Sequence, residues 1–475
     1  MPLHLAVLGA GVAGLAAALV LARDGHRVTL VERDAVALGD PLATLAWDRR
    51  GIPHFLQPHA FIPRGRKELR AAFPDVFASL FQAGAEDRDL RPQIRGPLQA
   101  DDDELCYVGV RRPLIEWALR RAVLAEANVQ VRSGVHATGY AGSPGDPPRV
   151  SAVLTREGTI PVDAVVDAMG RRSPTPAWLA RLGAQRGAVH TTECYIIYYS
   201  RYYRVRAGAT LPDLPGVPGP RGDLGYAAYS TFPGDNRTFA AILAIRPQDQ
   251  ELKLLRQATA FEAAATTIPA LQAWTNADTA EPITGVQPMG CLQNTLRTTV
   301  DERGPVALGV FSVADAVCHT DPVLALGLAF GLIHAHALAA ALREHGRQLD
   351  DAARAFEVAI RPAMAEHFRF SSALDAQRAR RWAGEPVDIA HRDGGAYELF
   401  SFAAGAAAAL VDADIFRVVV RRNTFLDPLG RLDDDPTMQQ RIETRFAALA
   451  TAARPAGPSR GEFLDAIRAA AHAPA

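Results

Sequence analysis

Lysine is almost missing from this chain: among 475 residues only Lys67 and Lys253 are lysine, and arginine supplies the other cations. Lys+Arg total 51 against 52 Asp+Glu, and no basic block is interleaved with aromatics. That balance excludes an electrostatic nucleic-acid binder. Cysteine is scarce too. Cys106, Cys194, Cys291 and Cys318 form no CxxC pair, so they read as reduced, mostly buried thiols of a reducing compartment. Long charge-free apolar runs are absent except at residues 323–342, where His334, His336 and several small residues intervene. The apolar N-terminal run is broken by glycines and leads directly into a folding pattern, so it is read as part of the fold and not as a signal peptide. A soluble, cytoplasmic protein with no integral membrane segment is expected. At this length a single core would exceed the roughly 250–300 residues at which cores stop growing, so two or three domains are expected.

What is present begins at once. Residues 3–33 read LHLAVLGAGVAGLAAALVLARDGHRVTLVER, an apolar run, a glycine turn, a helix and a second apolar run ending in an acid. Gly9, Gly11 and Gly14 stand at GxGxxG spacing. The first allows a tight turn, the second lets backbone approach a pyrophosphate, and the third lets the helix pack closely on its strand. Val12 and Ala13 open that helix, whose free N–H groups suit phosphate. Glu32 follows Gly14 by 18 residues, where a carboxylate accepts hydrogen bonds from a ribose, and Arg33 beside it joins the candidate set. Strand, glycine turn, helix, second strand and acid together define a dinucleotide site.

Farther on, Pro53, Pro58 and Pro63 hold residues 51–64 extended. Helices are expected at 66–72 and 74–83, and another from Pro113 after the strand CYVGV. Strands are read at 129–132, 150–156 and 159–166. From Val189 the pattern turns antiparallel and aromatic, as in CYIIYYSRYYRV. Tyr195, Tyr198, Tyr199, Tyr202 and Tyr203 suit either a sheet core or a pocket wall. Beyond Leu349 the chain is helical, with Phe356, Ile360, Met364 and Phe368 as a core stripe and Pro362 as a point of kinking. His54, His59 and His319 are candidate general bases or structural histidines. No metal site is read, because His54 and His59 lie in a proline-broken segment without helical ligand spacing.

Three later segments extend the N-terminal unit into a resemblance covering roughly residues 1–345. They are VRRPLIEWALRRA, AVVDAMGRRSP and LGVFSVADAVCHTDPVLALGLAFGL. The chain resembles the FAD-dependent monooxygenase superfamily of the aromatic-hydroxylase type, related to flavin-dependent halogenases and isoprenoid reductases. The resemblance implies that Arg112, with Arg111 as the alternate, holds the FAD pyrophosphate. It implies that Asp167 and Gly170 lie near the cofactor's ribose and backbone path, that Asp315 binds the ribityl chain, and that Pro322 shapes the loop by the flavin ring. The helix opening near Gly327 would point its dipole at the pyrimidine side. Ala314 and Ala325 stand where the family carries glycine, and they are expected to hinder close backbone approach to the ring.

The implied architecture is α/β: a Rossmann-like FAD-binding domain (1–60, 95–185 and 290–345), an inserted β-rich substrate domain (61–94 and 186–289) and a helical C-terminal region (346–475). The implied activity is hydroxylation or epoxidation of a hydrophobic or aromatic small molecule by molecular oxygen through a flavin C4a-hydroperoxide, in secondary metabolism. NAD(P)H would visit transiently or a flavin reductase would deliver electrons, since no second GxGxxG unit is present. A halogenase, a prenyl-type reductase or dehydrogenase, and a noncatalytic flavin-binding protein are the alternatives. For a halogenase, the W-x-W-x-I-P segment is missing and Lys67 lies on a solvated helix face.

Overall fold

A computed structural model describes residues 2–185, 187–213, 216–385, 400–451 and 457–472. Its organising sheet is parallel, in the order Val310–Ser312, Ala164–Asp167, His4–Leu8, Arg27–Glu32, Val129–Ser133. His4–Leu8 is first in the chain and central in space. Strand order therefore reverses at its C-terminal end, the place where open α/β sheets bind ligands.

These strands read as continuous apolar runs because both faces are covered. Leu5 and Val7 point into a helical layer that holds Leu15, Leu19, Leu332 and Phe356. Ala6 and Leu8 point the other way, towards Tyr140, Val153, Ile160 and Trp178. That second cover is an antiparallel sheet of Ala137–Ser143, Arg149–Thr155 and Gly158–Pro161. The single strand expected at 159–166 is thus two. Gly158–Pro161 belongs to the small sheet and Ala164–Asp167 to the large one, because Pro161 has no N–H to continue a ladder. Helix Val12–Arg23 lies against helix Gly327–His345, and a Cβ on Gly331 would sit 3.2 Å from that of Ala13.

The antiparallel sheet runs Arg221–Asp223, Ala227–Pro233, Thr238–Ile245, Ile197–Val205, Ala280–Pro282, with Gln287–Met289 also paired to Ile197–Val205. One of its faces packs on helices Ala258–Thr267 and Pro269–Thr275, and on Phe463, Leu464 and Ile467 of the last helix, Arg460–Ala471. The tail therefore braces this sheet. Helix Leu349–Trp382 spans 34 residues and passes Pro362 without a break. Proline there frees the carbonyl of Val358, and Val358 is 75% exposed, so water can take that bond. Phe356, Ile360 and Met364 are core, whereas Phe368 is only partly buried. Among the described residues no helix is long and apolar enough to cross a membrane.

Candidate active site

The glycine turn is fixed by close approaches. Gly9 has φ +96°, and a Cβ there would lie 2.7 Å from the carbonyl oxygen of Ala168. At Gly14 a Cβ would lie 1.8 Å from the carbonyl oxygen of Gly9. Gly11 is different, because its Cβ would meet Nη2 of Arg112 at an ordinary 3.5 Å. It keeps open the space between the turn and that guanidinium.

Arg112 starts helix Arg112–Ala125. Its Nε donates to Glu116 at 2.9 Å, and Nη1 donates to Nε2 of His54 at 2.7 Å and of His59 at 3.3 Å. Nη2, which faces Gly11, has no partner among the described residues. Arg111 turns away and pairs with Asp235 at 2.5 Å.

The histidines are acceptors. Nδ1 of His59 lies 2.7 Å from the carbonyl of Gln57, so that nitrogen carries the proton and Nε2 accepts from Arg112. Burial, and then the charge of Arg112, hold His54 well below the usual histidine range and His59 down to about 3. Both therefore orient Arg112 while neutral. A histidine depressed in the folded state stabilises fully above its unfolded pKa, and that stability is lost as pH falls from about 6.5 towards 3. Urea titrations from pH 7 to 4 should show a shallower acid loss for His59→Asn than for the native chain. An unchanged slope would contradict the buried neutral assignment. His319 is partly buried, with Nδ1 2.8 Å from the carbonyl of Gln293.

Glu32 is buried, which by itself would raise its pKa. Arg49 and the backbone N–H groups of Asp34 and Ala10 outweigh this and lower it. Oε2 accepts from Ala10 N at 2.8 Å and Arg49 Nη2 at 3.2 Å, and Oε1 accepts from Asp34 N at 2.9 Å. Oε1 keeps a second lone pair for a ribose hydroxyl. Arg33 is exposed at the rim, 3.5 Å from the carbonyl of Arg50.

Arg49 itself was not anticipated from sequence. Its side chain is fully buried between Glu32, Asp34 and Glu116 and also donates to the carbonyl of Ala10. Arg112, Glu116 and Arg120 fall four apart on one helix stripe, a spacing legible in the sequence but not used. Nε and Nη2 of Arg120 are buried without a partner among the described residues, which suits a polar ligand group at this end.

Asp167 is fully buried, and burial raises its pKa. It accepts from Ser173 Oγ at 2.6 Å and Met169 N at 3.1 Å, so it braces the turn containing Gly170. Asp315 lies in the turn Ala314–Ala316, with Oδ1 3.9 Å from the position of a Cβ on Gly327. It thus faces the start of helix Gly327–His345.

The two alanines keep a glycine-like backbone: φ is +49° at Ala314 and +55° at Ala325. His334 Nδ1 accepts from Ala314 N at 2.9 Å and holds the strained turn. Left-handed geometry costs a non-glycine residue about 1–2 kcal/mol, while glycine loosens the unfolded chain by about 0.4–1 kcal/mol. Ala314→Gly and Ala325→Gly should each be neutral or stabilising by up to about 1 kcal/mol in thermal melts. A clear loss would show that the methyl groups pack usefully.

Behind Pro322 lies a buried polar cluster missed in the sequence. Asp321 accepts from Tyr198 Oη at 2.5 Å and from Arg378 Nη2 at 2.8 Å, and its N–H donates to Asn294 at 2.7 Å. Arg378 also bonds Asp375 at 2.7 Å, and Asn294 donates to Asp375 at 2.8 Å. The tyrosines divide by alternation. Tyr199 and Tyr203 are core, Tyr202 is buried with its hydroxyl 3.4 Å from the carbonyl of Gln57, Tyr198 meets Asp321, and Tyr195 is 40% exposed. One face of that strand, with Tyr198, Ser200 and Tyr202, therefore looks at Asp321 and Gln57.

Known proteins resemble this chain in part of its sequence and in its fold. Residues 4–91 match the family described as FAD dependent oxidoreductase. Over 222 residues the chain is 32% identical to Protein Rv3254 of Mycobacterium tuberculosis, covering 43% of this chain and 46% of that protein. The matched stretch thus spans about half the length of that curated relative. Among solved structures, PqsL, a probable FAD-dependent monooxygenase from Pseudomonas aeruginosa, superposes with a TM-score of 0.58 at 16% identity, over 81% of this chain and 99% of that one. The flavin-dependent halogenase CmlS gives 0.60 at 18% identity, over 98% and 76%. OxyS anhydrotetracycline hydroxylase from Streptomyces rimosus gives 0.56 at 18% identity, over 90% and 77%. The chain has the mixed α/β fold of the FAD-binding monooxygenases and flavin halogenases. The family match is confined to the N-terminal segment, residues 4–91.

Proposed function

We propose that the chain is an FAD-dependent monooxygenase that hydroxylates or epoxidises a hydrophobic or aromatic small molecule, with electrons from NAD(P)H or a partner reductase. The observation that carries this reading is convergence. The Gly11–Arg112 cleft and the Asp315–Gly327 turn lie at the same end of the parallel sheet, and the Tyr198–Tyr202 face closes on them through Gln57 and Asp321.

FAD bound there would supply the redox step, accepting hydride and activating oxygen. The residues supply the rest. Nη2 of Arg112 and the N–H groups of Val12 and Ala13 hold phosphate, Glu32 Oε1 accepts from the ribose, and Asp315 takes ribityl hydroxyls. Pro322 and the start of helix Gly327–His345 set the position of the ring, and the tyrosine face keeps water from it. A halogenase reading is disfavoured by the lysines. Lys67 is 60% exposed and 2.5 Å from Glu104, and Lys253 is bonded to Gln250 at the surface.

The test is an absorbance spectrum of the purified protein, anaerobic addition of NADH or NADPH, then oxygen. Flavin that bleaches and passes through an absorbing oxygen adduct supports monooxygenation. Turnover of a prenyl-type alkene without oxygen would favour the reductase or dehydrogenase alternative. Flavin that answers to no electron donor would leave a noncatalytic binder.

A further inference from the structure

The helix that carries Arg112 is braced from the antiparallel sheet. Strands Ala227–Pro233 and Thr238–Ile245 form a hairpin, and its tip at residues 234–237 reaches the start of helix Arg112–Ala125. Asn236 and Arg237 turn the chain there with φ +51° and +57°, a left-handed pair with no glycine in it. Such geometry costs a residue with a side chain energy and persists where surrounding contacts over-determine it. Those contacts are present. Asn236 N donates to the carbonyl of Gly84 at 2.9 Å, and its Nδ2 donates to the carbonyl of Ala83 at 2.8 Å. Gly109, two residues before Arg111, lets the hairpin come close, since a Cβ there would lie 3.2 Å from the carbonyl oxygen of Pro233.

Asp235 is the buried centre of that tip. Its Oδ2 accepts from the backbone N–H of Arg111 at 2.8 Å and from Nε at 3.0 Å, while Oδ1 accepts from Nη2 at 2.5 Å. One carboxylate thus holds one residue by main chain and side chain together, using the bidentate match between carboxylate and guanidinium. Arg111 caps the helix, its carbonyl accepting from Leu114 N at 3.1 Å, and Arg112 comes next. Fixing the main chain at the cap fixes the point from which the Arg112 side chain leaves. Engaging the guanidinium of Arg111 also keeps a second cation from contending for an anion in the space between Gly11 and Nη2 of Arg112. Glu116 and His54 orient the end of the Arg112 side chain, and Asp235 holds its root. A binding group is only as well placed as the residues behind it keep it.

We propose that Asp235 is a positioning residue for the flavin phosphate: acting through Arg111, it aims Nη2 of Arg112 at the glycine turn and ties that grip to the sheet bearing the tyrosines. The proposal rests on the FAD reading above and adds a residue from outside the parallel-sheet layer.

The full-length chain, freed of flavin, is titrated with FAD and followed by flavin fluorescence. Asp235→Asn alone would leave a buried guanidinium unpaired, so Arg111→Met and Asp235→Leu are made together, an apolar replacement of the kind that buried ion pairs often tolerate. The paired variant should melt within a few degrees of the native chain and bind FAD at least about tenfold more weakly. In an Arg112→Lys background, which keeps a cation but not the fork, the same replacement should change FAD affinity by less than about twofold, because the residue it positions is gone. A mere brace between layers would give the same loss in both backgrounds. A second measurement needs no variant: by reciprocity, FAD should slow exchange of the Asn236 amide in the native chain by about tenfold as well.

Affinity within about twofold of native in the folded paired variant, equal losses with and without Arg112, or unchanged exchange at Asn236 would each overturn the proposal. Tight FAD binding by native and altered chains alike would sink only the positioning role. A native chain that takes up no FAD would sink the flavin reading on which that role rests.

Discussion

Gly14→Ala should abolish the folded flavoprotein, while Gly11→Ala should fold and lose its cofactor. A Cβ at residue 14 would stand 1.8 Å from the carbonyl oxygen of Gly9, and that carbonyl has nowhere to go. Gly9 is held by its N–H bond to Val31 at 2.8 Å and by the closeness of Ala168. The clash therefore exceeds the about 1–3 kcal/mol typical of an overpacked core and consumes much of a domain's about 5–15 kcal/mol. Loss of soluble protein, or a collapse of the melting temperature, is the expected readout.

Residue 11 has ordinary extended geometry, φ −77° and ψ −178°. The contacts of an added methyl, 3.5 Å to Arg112 and 3.6 Å to Ile52, are tolerable. Gly11→Ala should melt within a few degrees of the native chain. The methyl would nevertheless fill the space beneath Nη2 of Arg112, and flavin content after reconstitution should fall at least about tenfold, since each 1.4 kcal/mol of lost phosphate contact is tenfold in affinity. Full flavin in Gly11→Ala would remove the pyrophosphate from this turn. A native melt in Gly14→Ala would refute the close approach.

The contrast also shows what a sequence can carry. Residues 3–33 were legible because the pattern that makes the turn is local, encoded by glycine spacing and by runs that must be apolar on both faces, even though Gly9 also closes on the distant Ala168. Arg112 was legible from its place just before a helix, and the structure separates it from Arg111, which faces Asp235. Arg49 was not, because its acids Glu32, Asp34 and Glu116 are 17, 15 and 67 residues away. Only the fold brings four charges together.

Ala314 and Ala325 were expected to hinder close backbone approach to the ring, and both backbones keep the left-handed geometry of glycine. Sequence shows the side chain that costs energy but not the hydrogen bond from Ala314 N to His334 that holds it. Asp375 and Arg378, three apart on a long helix, look like a surface pair. They become interior only when Tyr198, Asn294 and Asp321 arrive from three other segments.

That interior cluster yields the second large effect. Asp321 is 2% exposed and Asp375 is buried completely. Burial first, and then the negative charge of Asp321, push Asp375 up to about 9, while Arg378 and hydrogen bonds from Asp375 and Tyr198 overcome burial to keep Asp321 low. The pair holds one proton, donated from Asp375 to Asp321, and titrates as a unit. With Arg378 the cluster is neutral.

Arg378→Met should cost about 3–5 kcal/mol, the usual consequence of stripping one partner from a buried pair. Because Asp321 precedes Pro322, flavin affinity should fall with it. Asp375→Asn keeps the shape and removes the titration. The raised carboxyl binds its proton more tightly in the folded state, so its stabilisation is complete below about pH 4 and is lost as pH rises towards about 9. Denaturant titrations should show the native chain losing stability between pH 5 and 9, with a flatter profile for Asp375→Asn and the difference growing with pH. Parallel profiles would mean that the two carboxyl groups do not share a proton, and Arg378 would then have to balance two negative charges with one.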